Sequence, residues 1–219
     1  MDACGCDPDG YTSIFDRRNA EHDRERYRRN GPDRTTRMLL ELLAPYRSAG
    51  STVLDIGGGI GIIDQELLRE GAGHAVLVDG STASLDVARA EAGRLHLLDR
   101  IEFIEGDFVR RADAIDPADI VTLDRVVCCY PDAERLVDLS AARARTVYGL
   151  VLPRDRRLTR IAVRLENVWF RLRRRTYRAF VHPTARVDEL VAANGLHPRE
   201  ERRTAFWRVV VYDRRPAAP

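Results

Sequence analysis

Apolar positions along this chain follow two alternating rhythms. Short, nearly continuous apolar runs read as strands: "TVLDIG" (52–57), "HAVLVDGS" (74–81), "IEFIEGDF" (101–108), "ADIVTLDRVV" (118–127) and "TVYGLVLP" (146–153). Between them, apolar residues return every three or four positions, the spacing of one helical face. This predicts helices in "GIIDQELLREG" (61–71), "TASLDVARAEAGRLH" (82–96) and "DAERLVDLSAARAR" (132–145). Continuously apolar strands separated by helices imply a parallel sheet covered on both faces.

The two ends depart from this rhythm. Residues 1–10 lack periodicity and read as a loose arm. Residues 13–30 are charged and Arg-rich, with Ile14, Phe15 and Tyr27 as sparse anchors, and predict a solvated helix or a lid. Asp33 is placed to cap a helix whose apolar face carries Met38, Leu39, Leu42 and Leu43. Residues 154–182 form an insert, with Leu158, Ile161, Ala162, Leu165, Val168, Trp169 and Leu172 on one helical stripe. A helix over 184–195 follows. "LHPREERRTAFW" and "WRVVVYD" then read as two closing strands, antiparallel to their neighbours.

Composition narrows the class. The 219 residues suit one domain with appended segments: an arm or lid over 1–32 and a main domain over 33–219 that contains the insert. The net charge of +2 names no partner. All 36 basic residues are arginine, which reads as the mark of a GC-rich genome. Cys4, Cys6, Cys128 and Cys129 lack the C-x-x-C spacing of a zinc or redox site and read as free thiols, so no metal is expected. No apolar run approaches the ~20 residues of a membrane span, and no basic start leads into an apolar stretch. A cytoplasmic location is the expectation.

The chemistry concentrates after the first strand, where four glycines fall within the five residues 57–61. Glycine inside an element costs roughly 0.5–1 kcal/mol relative to alanine, a loss that a closely approaching ligand offsets. The turn lies where an open α/β sheet binds ligands, beyond the carboxyl ends of its strands. Its pattern is Asp55-x-Gly57-x-Gly59-x-Gly61. The dinucleotide frame G-x-G-x-x-G fits neither from Gly57 nor from Gly58, because Ile62 and Ile60 occupy required positions.

D-x-G-x-G-x-G resembles motif I of the class I S-adenosylmethionine-dependent methyltransferases, and the likeness extends over most of residues 33–213. The resemblance implies a Rossmann-like, seven-stranded, mostly parallel sheet with helices on both faces. It implies S-adenosylmethionine as cofactor, with Asp55, Gly57, Gly59 and Gly61 around the methionine part. Asp79 would accept from the ribose hydroxyls, with Gly80 and Ser81 beside it. Asp107 would contact the adenine amino group with Phe108 beside the ring, and Asp124 and Arg125 would border cofactor and substrate. Tyr11 and Phe15 would close over the cofactor, and Arg34 or Thr36 would reach its carboxylate.

The acceptor is less well marked. "RVVCCYPD" and "FVHPTARVDELVAANGL" resemble the magnesium-protoporphyrin IX O-methyltransferase group. That likeness favours a small molecule, O-methylated on a carboxylate or phenol. Tyr130 and His182 are the candidate catalytic residues. Tyr11, Tyr130, Arg154, Trp169 and His182 are the candidate substrate contacts. The family builds substrate lids in the region of the insert. Here ten arginines face two acids over residues 154–178. The same segment suits an anionic membrane surface, which makes peripheral membrane contact through 158–178 a second reading. It also suits phosphates, or a plain amphipathic cover over the sheet with a solvated arginine face. S-, N- or metalloid methylation through the cysteines is one alternative, and an RNA-binding methyltransferase another. A nucleic-acid partner ranks behind a small molecule, because no N-P-P-Y-type motif follows the fourth strand. Nothing in the sequence names an oligomeric state.

Overall fold

The computed structural model describes residues 16–173 and 177–214. Seven strands form one sheet in the order β3-β2-β1-β4-β5-β7-β6. They are β1 (Thr52–Ile56), β2 (His74–Asp79), β3 (Ile101–Glu105), β4 (Ala118–Asp124), β5 (Ala144–Pro153), β6 (His197–Arg203) and β7 (Trp207–Asp213). The first five pair in parallel, β7 runs antiparallel to β5, and β6 runs antiparallel to β7. This is the expected sheet, with β7 inserted between β5 and β6.

Alternation along each strand divides the core into two layers. Leu54, Val121, Tyr148, Leu150, Val210 and Tyr212 point to one face. There they meet α6 (Ala133–Ala142) and α8 (Thr184–Ala193). Val53, Leu77, Ile120, Val147, Val209 and Val211 point to the other. That face is covered by α2 (Arg34–Leu43), α3 (Ile62–Arg69) and α4 (Thr82–Arg94).

The N-terminal helix α1 (Arg17–Asn30) is fastened to this second layer. Tyr27 donates to Glu66 of α3, and Arg28 donates through Nε to the buried Glu91 of α4 at 2.9 Å. Within the stretch expected as an arm or lid, residues 17–30 are therefore a docked helix. Tyr11, Phe15, Cys4 and Cys6 lie outside the described residues.

β3 and β4 each stop three residues short of the expected end, each for a local reason. β3 ends at Glu105 because the Asp107 carboxylate accepts from the Val109 N–H at 2.9 Å and starts the short helix α5 (Phe108–Arg111). β4 ends at Asp124 because Arg125 takes a left-handed φ of 63°, after which Val127–Cys129 form a 3-10 turn.

The insert contains α7 (Arg157–Leu172). The expectation of a plain cover over the sheet does not hold. Only Thr159, Val163 and Phe170 of this helix are buried, while the apolar stripe is exposed. Among the described residues, no helix is long and apolar enough to cross a membrane.

Candidate functional site

The site is assembled from the carboxyl ends of β1, β2, β3 and β4, which lie side by side in the sheet. Parallel pairing brings Asp79, Asp107 and Asp124 to one edge together with the glycine turn.

At Gly59 the backbone is left-handed, with φ of 58°, and its N–H donates to Asp79 Oδ2 at 2.8 Å. A Cβ there would meet nothing within 4 Å, so this face of the turn opens to a ligand. Gly58 answers a different need. A Cβ at that position would stand 2.2 Å from Asp55 Oδ2 and 2.4 Å from Leu77 Cδ1. The turn is pressed against its own strand.

Asp55 was expected among the cofactor contacts, but it is fully buried beneath the turn, and Thr122 donates to its Oδ1 at 2.7 Å. It supports the loop and does not line the open side. Asp64, in the first turn of α3, is also fully buried. Both Asp64 oxygens, Asp55 Oδ2 and Gln65 Oε1 have no hydrogen-bond partner among the described residues. Burial, and secondarily the charge of Asp64, push Asp55 well above the usual carboxylate range. Burial raises Asp64 to about 7. Sequence reading missed Asp64, because an acid in a first helical turn ordinarily reads as a dipole partner. Its place between Ile63 and the Leu67–Leu68 pair was the available signal.

Asp79 accepts backbone N–H bonds on both oxygens, from Gly59 and, at 2.7 Å, from Ser81. Burial raises its pKa, and these two bonds oppose the rise. Ser81 itself caps α4 by accepting from the Ser84 N–H, and Gly80 is exposed beside it. Tyr130, a candidate for catalysis, donates to Asp107 at 3.0 Å. Phe108 was expected beside the adenine ring. It is 3% exposed and packed in the core, so its ring presents little surface to a ligand. As the first residue of α5 it turns inward under the Asp107 cap.

At the end of β4, Arg125 donates to Asp124 at 3.0 Å and to Asp33 at 2.5 Å. Thr36, expected near the cofactor carboxylate, donates to Asp124. Asp33 also caps α2, accepting from the N–H groups of Thr35 and Thr36. Burial acts to raise the Asp33 pKa, but the Arg125 guanidinium and the cap bonds overcome it and hold the carboxyl at about 2. Burial raises Asp124 against the opposing pull of Arg125 and Thr36. This network ties α2 to the site. The sequence marked Asp33 only as a cap.

The remaining candidates spread outward. His182 sits with Glu134, Pro183 and Arg186 in a shallow pocket between α6 and α8, stacked on Phe180. Burial lowers its pKa, opposed by the carbonyls of Tyr130 and Val127, and its Nε2 is buried without a hydrogen-bond partner among the described residues. Arg154 donates to the Thr204 carbonyl at 3.0 Å, in the β6–β7 turn. Trp169 lies on the exposed stripe of α7. Cys128 and Cys129 hold their sulfurs 3.7 Å apart, and Cys129 Sγ lies 2.8 Å from Tyr177 Oη. Among the described residues, no cluster of three or more metal-ligating side chains occurs.

An open glycine turn with row-end carboxylates at its side fits a ligand carrying hydroxyl donors and an amino-acid tail. A sheet of this order with that edge defines the class I S-adenosylmethionine-dependent methyltransferase fold. Residues 53–147 match the family model described as "Methyltransferase domain". Residues 53–147 thus carry a methyltransferase domain, set in a sheet of the class I methyltransferase fold.

Its curated relatives include a ribosomal protein L11 methyltransferase of Pelotomaculum thermopropionicum, 29% identical over 124 residues, 57% of this chain and 36% of that protein. The protein of the same name from Clostridium botulinum is 36% identical over 106 residues, 47% of this chain and 33% of that protein. The chain thus spans about a third of the length of these curated relatives. Among solved structures, magnesium protoporphyrin IX methyltransferase from Synechocystis PCC 6803 with bound SAH superposes with a TM-score of 0.71 at 19% identity. The match covers 93% of this chain and 100% of that one.

Proposed function

We propose that the protein transfers the methyl group of S-adenosylmethionine to an oxygen of a carboxylated or phenolic small molecule. One observation carries this reading: Gly59 N–H on Asp79, at the centre of four adjacent strand ends. Each Asp79 oxygen accepts one backbone bond and keeps a further lone pair, enough for two ribose hydroxyls. In this reading Gly57–Gly61 cradle the methionine part and Asp107 receives the adenine amino group. Asp124 and Arg125 border the tail, and Thr36 positions Asp124.

When bound, the sulfonium supplies an activated methyl carbon: the acceptor oxygen forms the C–O bond as the C–S bond breaks, its electron pair staying on sulfur. The chain contributes mainly alignment. Tyr130 is engaged with Asp107, and His182 is buried with a lowered pKa. A carboxylate acceptor is anionic at neutral pH and needs neither as base, which favours it over a phenol. The whole-chain agreement with the porphyrin enzyme of Synechocystis supports a small-molecule acceptor. The ribosomal protein L11 methyltransferases support a second reading, a protein acceptor, over about half of this chain.

The test is calorimetric titration with S-adenosylmethionine and S-adenosylhomocysteine on wild type and Asp79→Ala. Methyl transfer from labelled cofactor to carboxylated porphyrins, phenols, thiols and ribosomal protein L11 then follows. Micromolar binding lost in the variant, with ester formation on a carboxylate, supports the first reading. Labelled protein with unlabelled small molecules replaces it with the second. No binding by folded wild type overturns both.

A further inference from the structure

The exposed stripe of α7 has no counterpart in the chemistry above. Leu158, Ile161, Leu165, Val168, Trp169 and Leu172 are each between 48% and 80% exposed. Six large apolar residues on one line of a single helix are not scattered surface residues. They recur at helical spacing from Leu158 to Leu172, a line about 21 Å long.

The helix rests on the protein by another flank. Thr159, Val163 and Phe170 are buried, and Asn167 exchanges two hydrogen bonds with the Ala179 backbone, at 2.8 and 2.9 Å. Phe170 meets Tyr177 edge-on, and Tyr177 in turn reaches Cys129. The helix is thus held by its side, and the stripe is carried on a supported element.

The charges along one border of the stripe are mostly arginine. Arg157, Arg164 and Arg171 follow its border on the helical wheel, while Arg160 on the same side is paired with Asp155 at 2.6 Å. Arg173 places its guanidinium 5.0 Å from the centre of the Trp169 ring. Glu166 is the one acid among residues 156–173. An apolar line edged by arginines, with tryptophan at the boundary, matches both parts of an anionic bilayer surface. Acyl chains accept the stripe, and phosphates accept the guanidinium groups. A second copy of this chain would instead bring arginine against arginine.

We infer that α7 is a peripheral membrane-docking helix that lies in the interface of anionic lipid bilayers. It inserts Leu158, Ile161, Leu165, Val168, Trp169 and Leu172 among the acyl chains. The inference does not depend on the identity of the methyl acceptor.

The experiment uses the full chain with vesicles of phosphatidylcholine alone, or of phosphatidylcholine with about one third phosphatidylglycerol. Flotation measures partition, and Trp169 fluorescence in a Trp207→Phe background measures insertion. The expected result is binding to the anionic vesicles, with a blue shift of Trp169. Ile161→Glu with Leu165→Glu, both at exposed positions, should weaken partition at least tenfold while circular dichroism stays unchanged. Arg157→Gln with Arg164→Gln should weaken it about twenty-fivefold on anionic vesicles only, each basic residue being worth about fivefold near such a surface. No binding by wild type, or binding that ignores the Glu pair, overturns the inference. So does a dimer that the Glu pair makes monomeric without any vesicle binding, which would assign the stripe to a second copy. A blue shift with S-adenosylhomocysteine alone and no partition would assign it to closure over the chain's own cleft.

Discussion

The backbone N–H of Gly59 donates to the Asp79 carboxylate at 2.8 Å, joining the turn after β1 to the end of β2. Without this bond the carboxylate and the open face of the turn would move independently. Asp79→Ala should weaken binding of S-adenosylhomocysteine by roughly ten- to a hundredfold, the scale of one or two lost bonds to a charged group. Asp79→Asn should fall between, since the amide retains one acceptor. Calorimetric titration measures both. Gly59→Ala places a methyl in open space at a φ of 58°. It should cost about 1–2 kcal/mol of stability, from the left-handed backbone, and lower affinity as well.

Asp33 serves two elements, as the cap of α2 and as the partner of Arg125. Asp33→Ala should destabilise the fold by about 1–2 kcal/mol, mostly from the cap. The ion pair adds less because Arg125 is about a third exposed. The Asp33 pKa lies at about 2, below its ordinary 3.8. Its contribution is therefore complete above pH 3.8 and is lost as pH falls through about 2. Denaturant titrations of wild type and Asp33→Asn should converge across that interval.

Asp64 behaves in the opposite sense. Its pKa is raised to about 7, so the folded state holds a proton that the unfolded chain releases near 3.8. The stability it contributes is complete below 3.8 and disappears as pH rises through about 7. Asp64→Asn should flatten the decline of stability between those values. It should also stabilise the protein at neutral pH by an amount of order 1 kcal/mol or more. Chemical denaturation at a series of pH values measures the slope.

Tyr130→Phe removes the hydroxyl from Asp107 and leaves the α5 cap in place. The expected result is a few-fold weaker cofactor affinity, about 1 kcal/mol, with little change in turnover at saturation. A large fall in kcat at unchanged affinity would instead return Tyr130 to a catalytic role.

Cys128→Ser and Cys129→Ser test the thiols. Methyl transfer to an oxygen acceptor should stay within about twofold, the scale of a few tenths of a kcal/mol. Cys128→Ser should lose about 1 kcal/mol of stability, because a hydroxyl replaces a soft, buried thiol.

The sheet and its edge with the glycine turn were legible because two simple periods and one glycine pattern encode them. Alternation in "TVYGLVLP" and "WRVVVYD" sets which residues face each layer. The spacing of apolar runs sets the parallel crossovers, and Asp55-x-Gly57-x-Gly59-x-Gly61 marks the turn. Pattern could also locate Asp79, Asp107 and Asp124, since each stands where a strand ends. The roles within that edge belong to the tertiary structure. Asp55 lies under the turn because the strand carries its side chain into the core. Asp33 and Arg125 stand far apart in sequence and meet only when α2 packs over β5 and β7 and brings its N-terminal end to the end of β4. The stripe of α7 shows the same division most clearly. Periodicity determined that its apolar residues share one line, but a period has no sense of inside and outside. Only the packing of Val163 and Phe170 against the protein decided that the line faces outward.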